Sequence, residues 1–113
     1  YTACLNPTGT ADPTATILGD NTIGTILWTR TGIGTYLGTL AGAFTIDKTV
    51  VIGPTTWGPA DDTGLFGHQV TEGAINDVNS VYINVGEAQS GVMTKKDGML
   101  FTGYSFIEIR VYD

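Results

Sequence analysis

Alternating apolar and polar residues predict β-strands along much of the chain, and the clearest pattern lies at residues 106–112. Ile107, Ile109 and Val111 fall on one face of an extended segment there, and the residues between them fall on the other. The same two-residue period recurs at residues 81–85. No window of helical length has apolar residues at the three- and four-residue spacing of an amphipathic helix. The pattern therefore predicts an all-β chain.

The segment Gly24–Phe44 predicts a β-hairpin around which the rest of the domain is organised. Residues 31–34 (Thr-Gly-Ile-Gly) supply the turn, because glycine tolerates the positive φ of tight hairpin loops. Trp28 and Tyr36 stand on the two arms and are large enough to form the packing centre of a small core. Arg30 is predicted to cover the edge of that core.

Further strands are predicted at both ends of the chain and in its middle, at residues 1–5, 14–18, 49–52, 91–94 and 99–104. The strand at 14–18 is expected to be half-buried, and turns are expected at 86–90 and 95–98. About eight short strands then form one antiparallel β-sandwich or jelly-roll-like domain over residues 1–113.

Residues 54–79 predict a long irregular loop, because prolines and glycines interrupt any strand period there. One helical turn is expected within it, at 74–79. Long loops in compact domains often carry function. The specificity of the domain is therefore expected in this segment.

Composition narrows the function classes. The 113 residues are 42% apolar and only 14% charged, with 19 threonines and 16 glycines, as expected for strands and turns. The net charge is −6, and the five basic residues are scattered, so no basic footprint for nucleic acid is present. No apolar run reaches the roughly 20 residues of a membrane-spanning helix.

The reactive side chains do not form a catalytic pattern, so the chain is predicted not to be an enzyme. His68 is the only histidine, and no serine stands in a nucleophile-elbow motif. Cys4 is the only cysteine, so an intrachain disulfide is excluded. Its side chain is expected to be a small buried hydrophobe. Asp61 and Asp62 are predicted to form a solvated acidic loop tip. No cofactor and no metal site are predicted.

Four residues are candidates for contact with a partner or receptor: Trp57, Phe66, His68 and Tyr104. Aromatic side chains in loops suit stacking on sugar rings or on another protein surface. The alternatives are a satellite core beneath the loop or a buried contact between subunits. The sequence leaves these interpretations open.

Residues 9–18, 24–30, 34–44 and 106–112 carry a family resemblance, most distinctively in the order Trp-Thr-Arg, Gly-x-Tyr and Gly-x-Leu. They resemble a small β domain that recurs in predicted tail-fibre, appendage and other virion-surface proteins of bacteriophages. The resemblance implies a structural or adhesive role, often in trimers, and supplies no catalytic residues. It does not extend over residues 54–79.

The leading hypothesis is a non-enzymatic virion surface module, from a tail fibre, head fibre or spike, that self-associates and contacts other virion proteins or a host receptor. One alternative is a subunit of an extracellular filament, in which residues 1–5 or 106–112 are donated to a neighbour's sheet. Another is a carbohydrate-binding module. The expected location is the virion surface or another extracellular site. Because the sequence begins at Tyr1, a processed, trimmed or partial chain is expected.

Overall fold

The computed structural model describes residues 1–53, 56–59, 66–89, 92–97 and 106–113. Within these ranges the chain forms ten strands and no helix, which confirms the all-β class. The strands are β1 (Thr2–Asn6), β2 (Thr14–Ile17), β3 (Leu27–Gly32), β4 (Thr35–Thr39), β5 (Thr49–Ile52), β6 (Thr56–Pro59), β7 (Phe66–Asp77), β8 (Ser80–Gln89), β9 (Val92–Lys95) and β10 (Phe106–Val111).

The strands form two antiparallel sheets. The small sheet has the order β2-β1-β10-β5, so its two central strands come from opposite ends of the sequence. The large sheet has the order β3-β4-β8-β7-β6. Strand β8 is long enough to pair on one side first with β4, through residues 80–84, and then with β9, through residues 86–89.

The core lies between the two sheets, which confirms the predicted β-sandwich. Its most buried aliphatic residues, at most 1% exposed, come from β1 and β10 on one side and from β8 on the other: Ala3, Leu5, Ile107, Ile109, Val81, Ile83 and Val85. Each large aliphatic side chain buried in this way contributes roughly 1.5–3 kcal/mol. The alternation predicted at 81–85 and 106–112 therefore places the correct residues inside.

The central hairpin is β3–β4, as predicted, and Trp28 and Tyr36 are both buried. The indole Nε1 of Trp28 donates a hydrogen bond to the phenol oxygen of Tyr1 at 3.0 Å, which satisfies both polar atoms inside the core. Burial raises the pKa of the Tyr1 phenol above its ordinary value. The phenol is therefore neutral over the physiological pH range.

The long irregular loop predicted at 54–79 is wrong wherever that segment is described. Residues 56–59 and 66–77 form β6 and β7, and the helical turn predicted at 74–79 is the end of β7 followed by a turn. The turn predicted at 86–90 is also wrong, because β8 continues to Gln89. Both predictions are wrong because glycine in these segments does not mark a turn. A Cβ at Gly73 would collide with Val51, and a Cβ at Gly86 would collide with the Thr94 backbone. These glycines therefore allow close packing within strands.

Strand β2 corrects a third expectation. All four of its residues are exposed, although a half-buried strand was predicted. Ala15 and Ile17 pair with the inward-facing Leu5 and Ala3, yet Ile17 remains 41% exposed. The inner side of this edge strand is therefore not covered. The strand predicted at 99–104 lies outside the described residues.

Replacing Gly34 should test the close contact between the hairpin turn and β8. Gly34 has φ +58°, and an added Cβ would overlap the carbonyl oxygen of Val85. We expect Gly34→Ala to lower the free energy of unfolding by about 2–4 kcal/mol in urea titrations. Gly42 is a matched control, because its φ is +64° and no atom lies within 4 Å of the added Cβ. Gly42→Ala should cost only about 1 kcal/mol; equal losses would contradict the contact.

Candidate functional site

The candidate contact residues are partly brought together by β6 and β7. Trp57 lies directly opposite His68 in the ladder, and Phe66 lies opposite Pro59 at its end. The row continues across β8 to Ala88 and across β9 to Met93. Tyr104 lies outside the described residues. Three of the four candidates thus belong to neighbouring paired strands instead of to an irregular loop.

At the turn of the central hairpin, Arg30, Asp97 and the Gly34 N–H form a bonded cluster, which we call the hub. Arg30 donates to both carboxylate oxygens of Asp97, from Nε at 3.0 Å and from Nη2 at 2.8 Å. Asp97 also accepts the backbone N–H of Gly34 at 2.9 Å. The paired guanidinium, with help from that N–H, holds the pKa of Asp97 below its ordinary value of 3.8. This carboxylate therefore fastens the end of β9 to the hairpin turn.

A second ion pair lies beside the hub. The Nζ of Lys96 lies 2.8 Å from the buried carboxylate of Glu87, whose side chain is 7% exposed. Glu87 shares its face of β8 with the core residue Val85, so its charge is accommodated at the border of the core by this pairing. Both pairs are contacts of 2.8 Å that join β9 and the residues after it to neighbouring strands.

The outer face of the large sheet carries a polar row across four strands. Thr35 donates from Oγ1 to Asn84 Oδ1 at 3.1 Å, and Asn84 Nδ2 donates weakly to Glu72 Oε2 at 3.4 Å. Lys95 Nζ approaches Thr35 Oγ1 at 3.3 Å. These contacts satisfy the polar groups of the sheet surface.

Beyond this row lies a shallow groove of about 670 Å³. Leu27, Leu37 and Leu40 provide its apolar lining, together with Asp77 and neighbouring polar residues of the β7–β8 turn. Asp77 accepts the Asn79 N–H and the Ser80 hydroxyl, each at 2.8 Å, and these bonds lower its pKa, with Asn79 the larger cause. The carboxylate is thus engaged in closing the turn.

The outer face of the small sheet carries a group of exposed apolar side chains along β5 and β10. It presents four large apolar side chains from β5, β10 and the residue that follows β10, with exposures of 38–53%: Val50, Ile52, Phe106 and Tyr112. Glu108 and Arg110 lie between Phe106 and Tyr112 on this face and are paired with each other at 2.6 Å. Lys48, whose carbonyl oxygen accepts the Tyr112 N–H at 2.9 Å, adds an exposed charge next to Tyr112. The pairing with Glu108, followed by that with Tyr112, raises the pKa of Arg110.

Sequence reasoning missed this surface, although the signal was present. Both faces of residues 106–112 carry large apolar side chains, and only the inner one was considered for packing. Cys4 belongs to the same outer face, as the cross-strand partner of Phe106, and is partly exposed instead of buried. On the outer face, the exposed aromatic residues Phe106 and Tyr112 flank the charged pair Glu108 and Arg110, so apolar surface lies at both ends of this series.

No three His, Cys, Asp or Glu side chains in the described ranges are close enough to share a metal ion. No helix in the same part of the chain has the length and apolar character needed to cross a membrane.

Comparison of the chain with models of known protein families, with curated proteins and with solved structures found no match. The resemblance to virion surface domains therefore remains an expectation from the sequence.

Asp97→Asn should test the hub through its pH dependence. Pairing lowers the Asp97 pKa on folding, so its stabilisation is complete above pH 4 and disappears as the pH falls through the folded pKa. We expect the variant to lose about 1–2 kcal/mol of unfolding free energy at pH 7 and to differ little from the parent at pH 2.

The control is Asp20→Asn, at an exposed position between β2 and β3 and outside the hub. Urea midpoints at both pH values measure the difference. A loss for Asp97→Asn that is the same at pH 2 as at pH 7 would show that the carboxylate charge does not hold the turn.

Proposed function

We propose that this chain is a non-enzymatic structural module of a virion surface, in a tail fibre, head fibre or spike, and that it self-associates. The resemblance of its hairpin and last strand to virion surface domains supports the virion part of the proposal. The exposed apolar outer face of the small sheet supports the self-association.

That outer face is the observation on which the proposal rests most. Large exposed apolar clusters on soluble domains mark protein–protein contacts, because covering them removes apolar surface from water. Here Val50, Ile52, Phe106 and Tyr112 lie on one side of one sheet. Association through this face requires no change in the fold.

The filament alternative, in which a strand is donated to a neighbour, is less well supported. The strands it would donate, β1 and β10, are the two central strands of the small sheet. Each is hydrogen-bonded on both sides within the same chain. Donating either would break its ladders and expose Leu5 or Ile109 to water, so association between folded faces is favoured.

Sedimentation velocity on the purified chain tests self-association directly. We expect the weight-average mass to rise above the 11.9 kDa of one copy as the concentration increases from 1 to about 200 μM. The resemblance favours a trimer, and the measured mass gives the number of copies. A constant monomer mass over this range would overturn the proposed self-association.

A receptor contact at the β6–β7 ladder is a second candidate function. The observation that favours it is the direct opposition of Trp57 and His68, with Phe66 two residues before His68 on β7. An aromatic residue and an imidazole on neighbouring strands suit stacking and hydrogen bonding to a sugar ring. We propose a host-surface glycan as the ligand.

Glycan-array binding tests this contact. Trp57→Ala should reduce binding at least tenfold because the stacking surface is lost, whereas Trp57→Phe should retain most of it. Circular dichroism would verify that both variants remain folded. Equal binding by the parent and Trp57→Ala, or no binding by the parent to any glycan, would contradict the proposed receptor contact.

A further inference from the structure

We infer that the receptor contact proposed at Trp57 and His68 continues along the outer face of the large sheet to Tyr82, and that this face binds a linear, uncharged oligosaccharide. The inference rests on the proposed receptor contact. It adds the remainder of the binding surface, the length of the ligand and its charge.

The register of the strands places the two ends of this surface on one face. The core residues of β8 are those at positions 81, 83 and 85, so its even-numbered residues face away from the core. The β7–β8 ladder pairs Ala74 with Tyr82 and His68 with Ala88, and its register is unbroken between these pairs. Trp57 is the partner of His68 on β6. Because cross-strand partners share a face, all these positions belong to the outer face of the large sheet.

Tyr82 supplies an aromatic ring in the middle of this face. It is partly exposed, and its partner on β7 is Ala74, whose methyl group is too small to cover a phenol ring. Within the described part of the chain, the Tyr82 hydroxyl has no hydrogen-bond partner. A partly exposed ring with a free hydroxyl suits stacking on the C–H face of a sugar together with a hydrogen bond to one of its hydroxyls.

Polar groups with unused hydrogen-bonding capacity lie beside the ring. Glu72 is exposed, and its only bond to another described residue is the weak one of 3.4 Å from Asn84. The Nζ of Lys95 carries three donors and contacts Thr35 with one of them, at 3.3 Å. The face therefore offers both an acceptor and donors within reach of Tyr82. Sugar hydroxyls require this combination because each of them both donates and accepts.

The charges of the face favour an uncharged ligand. At the outward positions of the described strands, one acid, Glu72, is matched by one base, Lys95. Asp77 adds a second carboxylate at the β7–β8 turn. A polyanion would meet these carboxylates with a single lysine, on a chain whose net charge is −6. A neutral polyhydroxylated chain avoids this repulsion.

The backbone of the face is closed to an extended peptide. Strands β4, β8 and β7 are each hydrogen-bonded to neighbours on both sides, so they have no open edge to which a further strand could pair. A ligand on this face must be held by side chains alone. Stacking and hydrogen bonds to hydroxyl groups meet that condition, which favours a glycan over a peptide.

The separation of the two ends sets the length of the ligand. Tyr82 is level with Ala74, and Ala74 follows His68 by six positions on β7. At about 3.4 Å per residue the two ends are about 20 Å apart. One or two sugar rings cannot reach both, so the ligand is an oligosaccharide of several units.

This surface remains available in the proposed assembly. Self-association is proposed through the outer face of the small sheet, whereas the glycan face is the outer side of the large sheet, across the core. An assembly of several copies then presents several glycan faces at once. Multivalent contact strengthens binding to a surface that carries many copies of the glycan.

Glycan length and substitution of Tyr82 test the inference. The probes are linear, neutral oligosaccharides of one to six hexose or N-acetylhexosamine units, immobilised as length series. The full chain should bind the six-unit members of a recognised series at least tenfold more tightly than the two-unit members. Tyr82→Ala should weaken six-unit binding at least tenfold, and Tyr82→Phe should stay within about threefold of the parent because the ring is kept.

Two further variants keep the test decisive. Glu72→Ala, at an exposed position, should leave the fold intact and weaken six-unit binding at least threefold. Tyr112→Ala removes an exposed tyrosine from the opposite sheet and should leave binding unchanged. Circular dichroism and urea midpoints verify that each variant is folded.

The outcomes separate the inference from the proposed receptor contact. A parent that binds no glycan overturns both. Binding that Trp57→Ala abolishes, but that neither depends on glycan length nor changes in Tyr82→Ala and Glu72→Ala, overturns only the inference. Binding restricted to acidic glycans, or an equal loss in Tyr112→Ala, also overturns the inference and leaves the contact at Trp57 standing.

Discussion

One carboxylate joins two strand ends at the centre of the large sheet. Strand β8 pairs with two different strands along the same side, and the junction between them falls where the turn of the β3–β4 hairpin meets the end of β9. Asp97 closes this junction by binding Arg30, 67 residues away, and the Gly34 N–H. Backbone bonds support it, because Gly34 and Lys96 both bond to Val85. Without the carboxylate, two strand ends would meet with unpaired polar groups between them.

Local contacts and short strands protect the free edges of the two sheets, whereas the outer faces of the sheets stay exposed to solvent. The Asp12 carboxylate accepts the backbone N–H of Arg30 at 2.7 Å, which occupies one donor on the free edge of β3. Strand β5, at the other sheet's edge, is only four residues long and lies between Lys48 and Gly53. Short edges with a charged neighbour resist strand addition. Contact between folded faces is therefore the easier mode of association for this chain.

Sequence reasoning predicted the parts of the fold in which the apolar period is unbroken. The hairpin around Trp28, and the strands carrying Ile83 and Ile109, follow directly from alternation, because each inward position is large and apolar. Strand β7 was missed because its inward positions include Thr71 and Gly73, which pack tightly without being hydrophobic.

The candidate site was predicted less completely. The sequence singled out Trp57 and His68, but their opposition depends on the β6–β7 register, which residue types in that segment do not fix. Arg30 could have paired with any of 11 acids, so the link to Asp97 required the fold. The exposed aromatic residues Phe106 and Tyr112 could have been found from the alternation at residues 106–112, which places them opposite Ile107, Ile109 and Val111.

The position of β10 has a consequence for how the chain folds during synthesis. In the small sheet it separates β1 from β5, so neither can complete its pairing until the ribosome has released residues 106–111. The β3–β4 hairpin and its ladder with β8 use earlier residues and are free to form before that point. The nascent protein thus carries half of its sandwich with the inward faces of Val81 and Ile83 uncovered. Until β10 pairs with β1 and β5, such an intermediate exposes apolar surface that favours association with other chains.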